Sequence, residues 1–361
     1  MTELTDPFDQ LKDGNNLNKY KAAGLVATKA VDEIVKNVKA GAKLFDLVVI
    51  GNNYIKNELD KVYKEVTYKG LSFPICLSLN NVAGHYVPNI EDKNKDVINE
   101  GDILKIELGV HIDGFPANIV YSTILNSTGN KLLITDKRAN VMKACIEASK
   151  ELFKVMKPGC TNKDAARIMT NYAEKYNCNL PTCGEKGCVP GVLSFQMSRN
   201  ICDGYNDDED EFVHRFILAK ENPNFDYSMR ETEFEENEVY AIDVLMSTGS
   251  CKLHNTGKLD IFRRNHENRT MLKLKASKDT LNLFKKERFA INVDSKDIRV
   301  KLGLKECLEK ELIERYPVVS DKEGEYIARI KFTVIVRDNP ILICGKSGDQ
   351  ELKKIGLNET K

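Results

Sequence analysis

Leu104-Lys105-Ile106-Glu107-Leu108-Gly109-Val110-His111-Ile112-Asp113-Gly114-Phe115-Pro116-Ala117-Asn118-Ile119-Val120 reads as two strands joined by a tight turn. Leu104, Ile106, Leu108 and Val110 alternate with Lys105, Glu107 and Gly109, the period of two that strands follow. Asp113-Gly114 is a dipeptide suited to a turn whose central residues both need positive φ. With those two at the centre, Glu107 faces Val120, and Asn118 lies diagonally on the same face, roughly 7–8 Å from Glu107. A bulge would change that distance and leave the shared face intact, because the two positions have the same parity along alternating strands.

Outward from the hairpin, apolar stripes mark helices. Val31, Ile34, Val35 and Val38 lie on one face of a segment running from Leu17 to Ala40 and ended by Gly41, and a second helix is expected over Leu44 to Val62. Val141, Cys145, Ala148, Leu152, Val155 and Met156 form a third stripe, stopped by Pro158-Gly159. Thr161 with Asp164 resembles a capping box that opens a fourth helix through Ala165, Ile168, Met169, Tyr172 and Tyr176. Further on, Lys285 to Arg288 and Leu302 to Arg315 read as helical, and Tyr326 to Val336 as a closing strand.

The 361 residues carry a formal net charge of zero, so no whole-chain field draws the protein to nucleic acid. The charge is segregated instead. Residues 203–237 hold twelve acids against three bases, while residues 249–290 hold eleven bases against four acids. The basic stretch includes Lys252, Lys258, Arg263, Arg264, Arg269, Lys273, Lys275 and Lys278, which read either as a phosphate-facing patch or as a solvated face that balances the acidic loop. The ten cysteines show no regular disulfide spacing. Cys178, Cys183 and Cys188 are evenly spaced, but zinc ribbons use closer pairs, so plain thiols are the expectation. No secretory pattern begins the sequence and no apolar run is long enough to span a bilayer, so the expected compartment is the cytoplasm, with the nucleus or nucleolus as a second.

Four motifs then fall in a fixed order: Phe73-Pro74 with Leu79-Asn80-Asn81-Val82-Ala83-Gly84-His85-Tyr86; Lys105 to His111; Glu238-Val239-Tyr240-Ala241-Ile242-Asp243; and the strand around Lys331. In order and spacing they resemble the type 2 methionine aminopeptidases, and more closely their non-peptidase relatives, the proliferation-associated, ErbB-receptor-binding proteins. The resemblance implies an α/β (α+β) pita-bread fold: a curved antiparallel sheet, helices on its outer side, and a mainly helical, basic insertion. It also implies one domain over 1–361, with the insertion at 249–316.

A dinuclear hydrolytic site needs hard oxygen donors that hold divalent cations and acidify a bridging water. Carried over position by position, the resemblance places the five ligand positions at Glu107, Asn118, Val192, Asp243 and Lys331, with His85 as a substrate-contacting histidine and Asn200 at the second pocket histidine. Three of the five donors are thereby lost, and one becomes an ammonium that repels metal. Taken alone, Lys331 reads as a solvated strand residue, since Arg329 shares its face. Taken jointly, the positions imply a vestigial pocket with no catalytic residue, metal or cofactor, kept as folding core or peptide groove.

The resulting expectation is a non-catalytic pseudo-aminopeptidase. Its partners would be the large ribosomal subunit and its rRNA, with protein partners besides and no membrane, in ribosome biogenesis, translation or growth control. The competing reading is an active methionine aminopeptidase in which Glu107, Asp243 and His85 hold one metal. A third is a receptor- or transcription-factor-binding scaffold. In relatives the tail ends in a long lysine run; here residues 351–361 contain three lysines, which departs from the pattern for nucleolar targeting.

Overall fold

Helices α1 (Gly14–Lys36) and α2 (Leu44–Leu59) lead into β1 (Lys69–Leu79), β2 (Val82–Gly84), β3 (Ile103–Ile112) and β4 (Phe115–Ile124). Helices α3 (Lys137–Val155) and α4 (Asn162–Lys175) precede β5 (Ser194–Met197), β6 (Phe216–Ile217) and β7 (Val239–Ser247). There follow β8 (His254–Asn255), β9 (Ile261–Arg264), α5 (Lys275–Asn282), β10 (Ile291–Asn292), α6 (Ile298–Glu309), β11 (Ile313–Tyr316) and β12 (Val319–Ser320). Last come β13 (Ile327–Ile335), β14 (Ile341–Cys344) and α7 (Asp349–Lys354). This computed structural model describes residues 10–89, 96–126, 137–181, 194–202, 216–220, 231–266, 268–294 and 296–355. Val192, Cys183, Cys188 and most of the acidic loop lie outside them.

The β3–β4 hairpin forms in the register its turn dictates. Asp113 and Gly114 adopt φ of 53° and 81°, and Glu107 pairs with Val120. The main sheet runs β1-β3-β4-β13-β7-β5-β6, with β14 also on β13, and its named pairings are antiparallel. Helices cover one face in two pairs. Apolar residues of α1 and α2 pack on Leu104, Ile106, Leu108 and Val110 of β3, and those of α3 and α4 pack on Tyr240, Ile242, Ala328, Ile330 and Phe332. The Thr161–Asp164 capping box is present at the start of α4.

The other face of the sheet is also covered. Every residue of β3, β4, β7 and β13 is buried. The small sheet β2-β12-β8 lies here, and the segment containing β9 to β11 adds Ile261 and Tyr316 against Phe73, Cys76 and Val87. That segment has its own core of Phe262, Leu272, Phe284, Val293, Leu304 and Cys307, in which α5 and α6 join a three-stranded sheet, β10-β9-β11. Two local expectations change here. Lys285 to Arg288 is irregular chain after α5, and the helix expected over Leu302 to Arg315 starts at Ile298 and stops at Glu309, before β11. Tertiary packing decides both, because strands of two to four residues are too short to show alternation. Among the described residues, no helix is long and apolar enough to cross a membrane.

Candidate functional site

One row of side chains crosses four strands. Glu107 on β3 stands opposite Val120 on β4, Val120 opposite Lys331 on β13, and Lys331 opposite Asp243 on β7. Arg329, two residues before Lys331, therefore shares its face. The strand alternation that reads as a solvated stripe is thus corrected: Arg329 is wholly buried and Lys331 is 7% exposed. The covering layer, supplied by distant parts of the chain, is the cause.

The burial is matched by pairing. Arg329 donates through Nε to Asp243 Oδ1 at 2.9 Å, through Nη2 to Asp243 Oδ2 at 2.7 Å, and through Nη1 to Glu107 Oε2 at 3.0 Å. Lys331 Nζ lies 3.1 Å from Asp243 Oδ2 and 3.8 Å from Glu107 Oε1. Two carboxylates and two cations thus neutralise one another in a water-poor layer, where each charge alone would cost several kcal/mol. Burial by itself would raise the Glu107 carboxyl, but Arg329, with His85 and Lys331, holds it down to about 2. Burial likewise opposes the charge on Arg329, yet Asp243 and Glu107 raise its pKa above the usual guanidinium value.

The surroundings are shaped to this cluster. A Cβ at Gly84 would collide with Nη1 of Arg329 and stand 3.2 Å from Glu107 Oε2, so the guanidinium takes the space a side chain would need. Ser122 Oγ accepts from the Arg329 amide and donates to its carbonyl, and Ser194 Oγ accepts from the Asp243 amide. Asn118 shares the face, as the hairpin parity requires, but its Oδ1 accepts from Ser72 Oγ at 2.7 Å, and its backbone carbonyl accepts from Thr333 and Cys344.

His85 is fully buried in a left-handed conformation, φ 64°. Its Nδ1 lies 3.1 Å from the Pro317 carbonyl, which can only accept, so Nδ1 carries the proton and Nε2 is a lone pair without a protein partner among the described residues. Burial, helped by Arg329 and Lys331, lowers its pKa to about 4, against the pull of Glu107. Asn200 lies apart from the cluster, donating its amide to the Gly114 carbonyl at the β3–β4 turn.

These residues do not fit a metal. The guanidinium of Arg329 bonds to both carboxylates that would serve as ligands, and Lys331 adds a second positive charge beside them. Among the described residues, no group of three or more His, Cys, Asp and Glu side chains is arranged to hold an ion. The remaining cavity, lined by Phe73, Glu107, Asn118, Cys202, Tyr316 and Lys331 among others, encloses about 10 Å³. That is room for about one water and not for a methionine side chain.

The basic set of the insertion divides in two. Arg263 is 8% exposed and pairs with Glu314 at 2.7 Å, Arg264 donates to the Leu312 and Asn268 carbonyls, and Lys258 Nζ sits 4.0 Å above the Tyr86 ring. Those three are tied into the fold. Lys252, Arg269, Lys273, Lys275 and Lys278 are exposed, as are the apolar Met271, Leu274, Leu283, Ile298 and Leu302 of the same insertion.

A mixed body of this topology, an antiparallel main sheet backed by two helix pairs, defines the pita-bread class of folds. Residues 18–258 match the sequence model of metallopeptidase family M24, and the chain belongs to that family. ERBB-3 binding protein 1 of Solanum tuberosum is 34% identical over 331 residues, covering 90% of this chain and 79% of that one. Proliferation-associated protein A of Dictyostelium discoideum is 31% identical, covering 90% and 80%. The solved structure of a thermophilic Arx1 superposes with a TM-score of 0.76 at 22% identity, covering 96% of this chain and 98% of that one.

Proposed function

We propose that this chain is a non-catalytic member of the M24 family, a pseudo-aminopeptidase that acts by binding. The observation that carries the reading is the Arg329–Lys331 pair: two cations neutralise the carboxylates a hydrolase would use to hold metal, and the fold closes over them. Glu107, Asn118, Asp243, Lys331 and His85 are then remnants of a pocket converted to core. The working-enzyme alternative needs Glu107, Asp243 and His85 on one ion, and that arrangement meets the Arg329 guanidinium, bonded to both carboxylates, instead.

The binding partner we favour is the large ribosomal subunit and its rRNA, reached through the insertion at 249–316. Its exposed Lys252, Arg269, Lys273, Lys275 and Lys278 support this, because clustered cations release counterions from a phosphate backbone. Such contacts position a protein without reading sequence. The name of its ErbB-3-binding relative supports protein partners as well.

Two measurements test the reading. Protein purified without chelators should carry substoichiometric divalent metal and leave a methionyl peptide intact; stoichiometric metal with turnover overturns the non-catalytic assignment. Cosedimentation with large ribosomal subunits should weaken steeply as salt rises. The triple variant Lys273→Glu, Lys275→Glu, Lys278→Glu should abolish it at physiological salt, and unchanged sedimentation of that variant removes the insertion from the interface. Arg263 and Arg264 are unsuitable for this test, since their loss would disturb the insertion's own fold.

A further inference from the structure

On the far side of β1 from β3, a cleft of about 580 Å³ opens between α2, β1 and the insertion. Its walls include Val48 and Asn52 of α2, Lys69 to Leu71 of β1, and Lys286, Glu287 and Ala290 to Asn292 of the insertion. The outer edge of β1 is covered further along the strand, where the Leu77 amide donates to the Tyr86 carbonyl. Beside the cleft, nothing among the described residues pairs with it.

The hydrogen bonding fixes which groups face it. The Asp113 amide donates to the Tyr68 carbonyl at 2.7 Å, so Tyr68 and Asp113 are a hydrogen-bonded pair of an antiparallel ladder, as are Gly70 and His111 two residues on. Lys69 and Leu71 therefore turn their amides and carbonyls away from β3, and among the described residues neither has a backbone partner there. The opposite wall behaves likewise. Val293 donates to the Asp260 carbonyl, which makes Ile291 and Phe262 a bonded pair and turns Ala290 and Asn292 away from β9. Two open strand edges thus line one cleft.

Its floor is aromatic, with two polar groups set among the rings. Tyr68, His111 and Phe289 stack with ring centroids 4.6 and 4.7 Å apart. His111 Nδ1 accepts from the Gly114 amide, so the neutral ring bears its proton on Nε2 and presents a donor. The Tyr68 hydroxyl is buried with no protein partner among the described residues. The apolar wall of Val48, Leu71, Ile75, Val87 and Ile291 favours a partly apolar occupant. The charges lining the cleft are Lys69, Lys286 and Glu287. Lys69 is held by the Val62 and Tyr63 carbonyls, and among the described residues exposed Lys286 is the cation left to meet an acidic side chain.

We infer that this cleft is a docking site for an extended segment of a partner protein, which adds as a strand to β1 at Lys69–Leu71, sets alternate apolar side chains against α2 and places a carboxylate toward Lys286. Main-chain pairing supplies affinity and the pockets for alternate side chains supply selectivity in this mode. A tight-binding small molecule would leave the two strand edges largely unused.

The test uses the full chain and a random dodecapeptide library displayed on phage, followed by synthetic copies of the enriched peptides. Expected are sequences that alternate apolar residues and carry an acid, and that slow hydrogen exchange of the Lys69 and Leu71 amides. Leu71→Pro removes an outward amide that no ladder bond uses, and should weaken these peptides at least about tenfold. Lys286→Glu, at an exposed position, leaves the fold intact and should weaken them about threefold. Failure to enrich any peptide overturns the inference, as do peptides that bind both variants like wild type or leave exchange over residues 68–72 unchanged.

Discussion

The inner row of the sheet and the insertion hold similar chemistry under opposite conditions. In the row, every charge is buried and paired: two acids meet two bases within 3.8 Å, and serines and threonines satisfy the backbone around them. In the insertion, Lys273, Lys275 and Lys278 stand in solvent on a body whose core is purely its own. A buried ion cluster that neutralises itself has nothing left to offer a ligand, whereas exposed cations remain available. In our reading, the same fold has closed one interaction site and opened another.

The largest effect should come from breaking the row. Arg329→Ala leaves Glu107 and Asp243 facing only Lys331, and should cost about 3–5 kcal/mol in urea unfolding. Adding Glu107→Gln and Asp243→Asn to that variant should recover part of the loss; no recovery would mean that the guanidinium acts through packing and not through charge.

Acid should attack the same region next. Burial holds His85 and His111 near 4, against 6.5 when unfolded. Between those values the unfolded chain binds protons that the folded chain does not, so stability is full above 6.5 and falls as pH drops toward 4, by up to about 3 kcal/mol per ring. His85→Asn tolerates the left-handed backbone and should remove one ring's share of the slope. Glu107, held near 2, adds its own loss only as pH falls from 4.5. A slope unaltered in His85→Asn would place the acid sensitivity elsewhere.

Gly84→Ala sharpens the row's geometry. Its methyl group would press on Arg329, at a cost of about 1–3 kcal/mol, and the same substitution in the Arg329→Ala background should cost less. The smallest stability change belongs to the insertion: the Lys273, Lys275 and Lys278 reversal should stay within about 0.5 kcal/mol while ribosome cosedimentation collapses. A large destabilisation there would mean that those lysines are structural after all.

The sequence made the hairpin legible because Asp113-Gly114 admits one turn geometry, which sets the Glu107–Val120 register and brings Asn118 to the same face. Helices α1 to α4 were legible from their apolar spacing. Arg329 was not, because whether a strand's second face is buried depends on chain segments far away, here Tyr316, His85 and the β2-β12-β8 sheet. The available signal was the placement of cations at 329 and 331 on a strand with acids at 107 and 243 on its neighbours, which reads as a cluster only once the strand order is known. The β10-β9-β11 sheet was missed for a simpler reason: strands this short carry no period.

The Arg329 fork has a consequence for which substitutions the row can accept. A glutamate at 331 alone would place three acids against one guanidinium, and deleting Arg329 alone would leave two acids facing one lysine, so each single change gives a poorly folding protein. The cluster is therefore interlocked: no one of its charges can be exchanged without a compensating change in another.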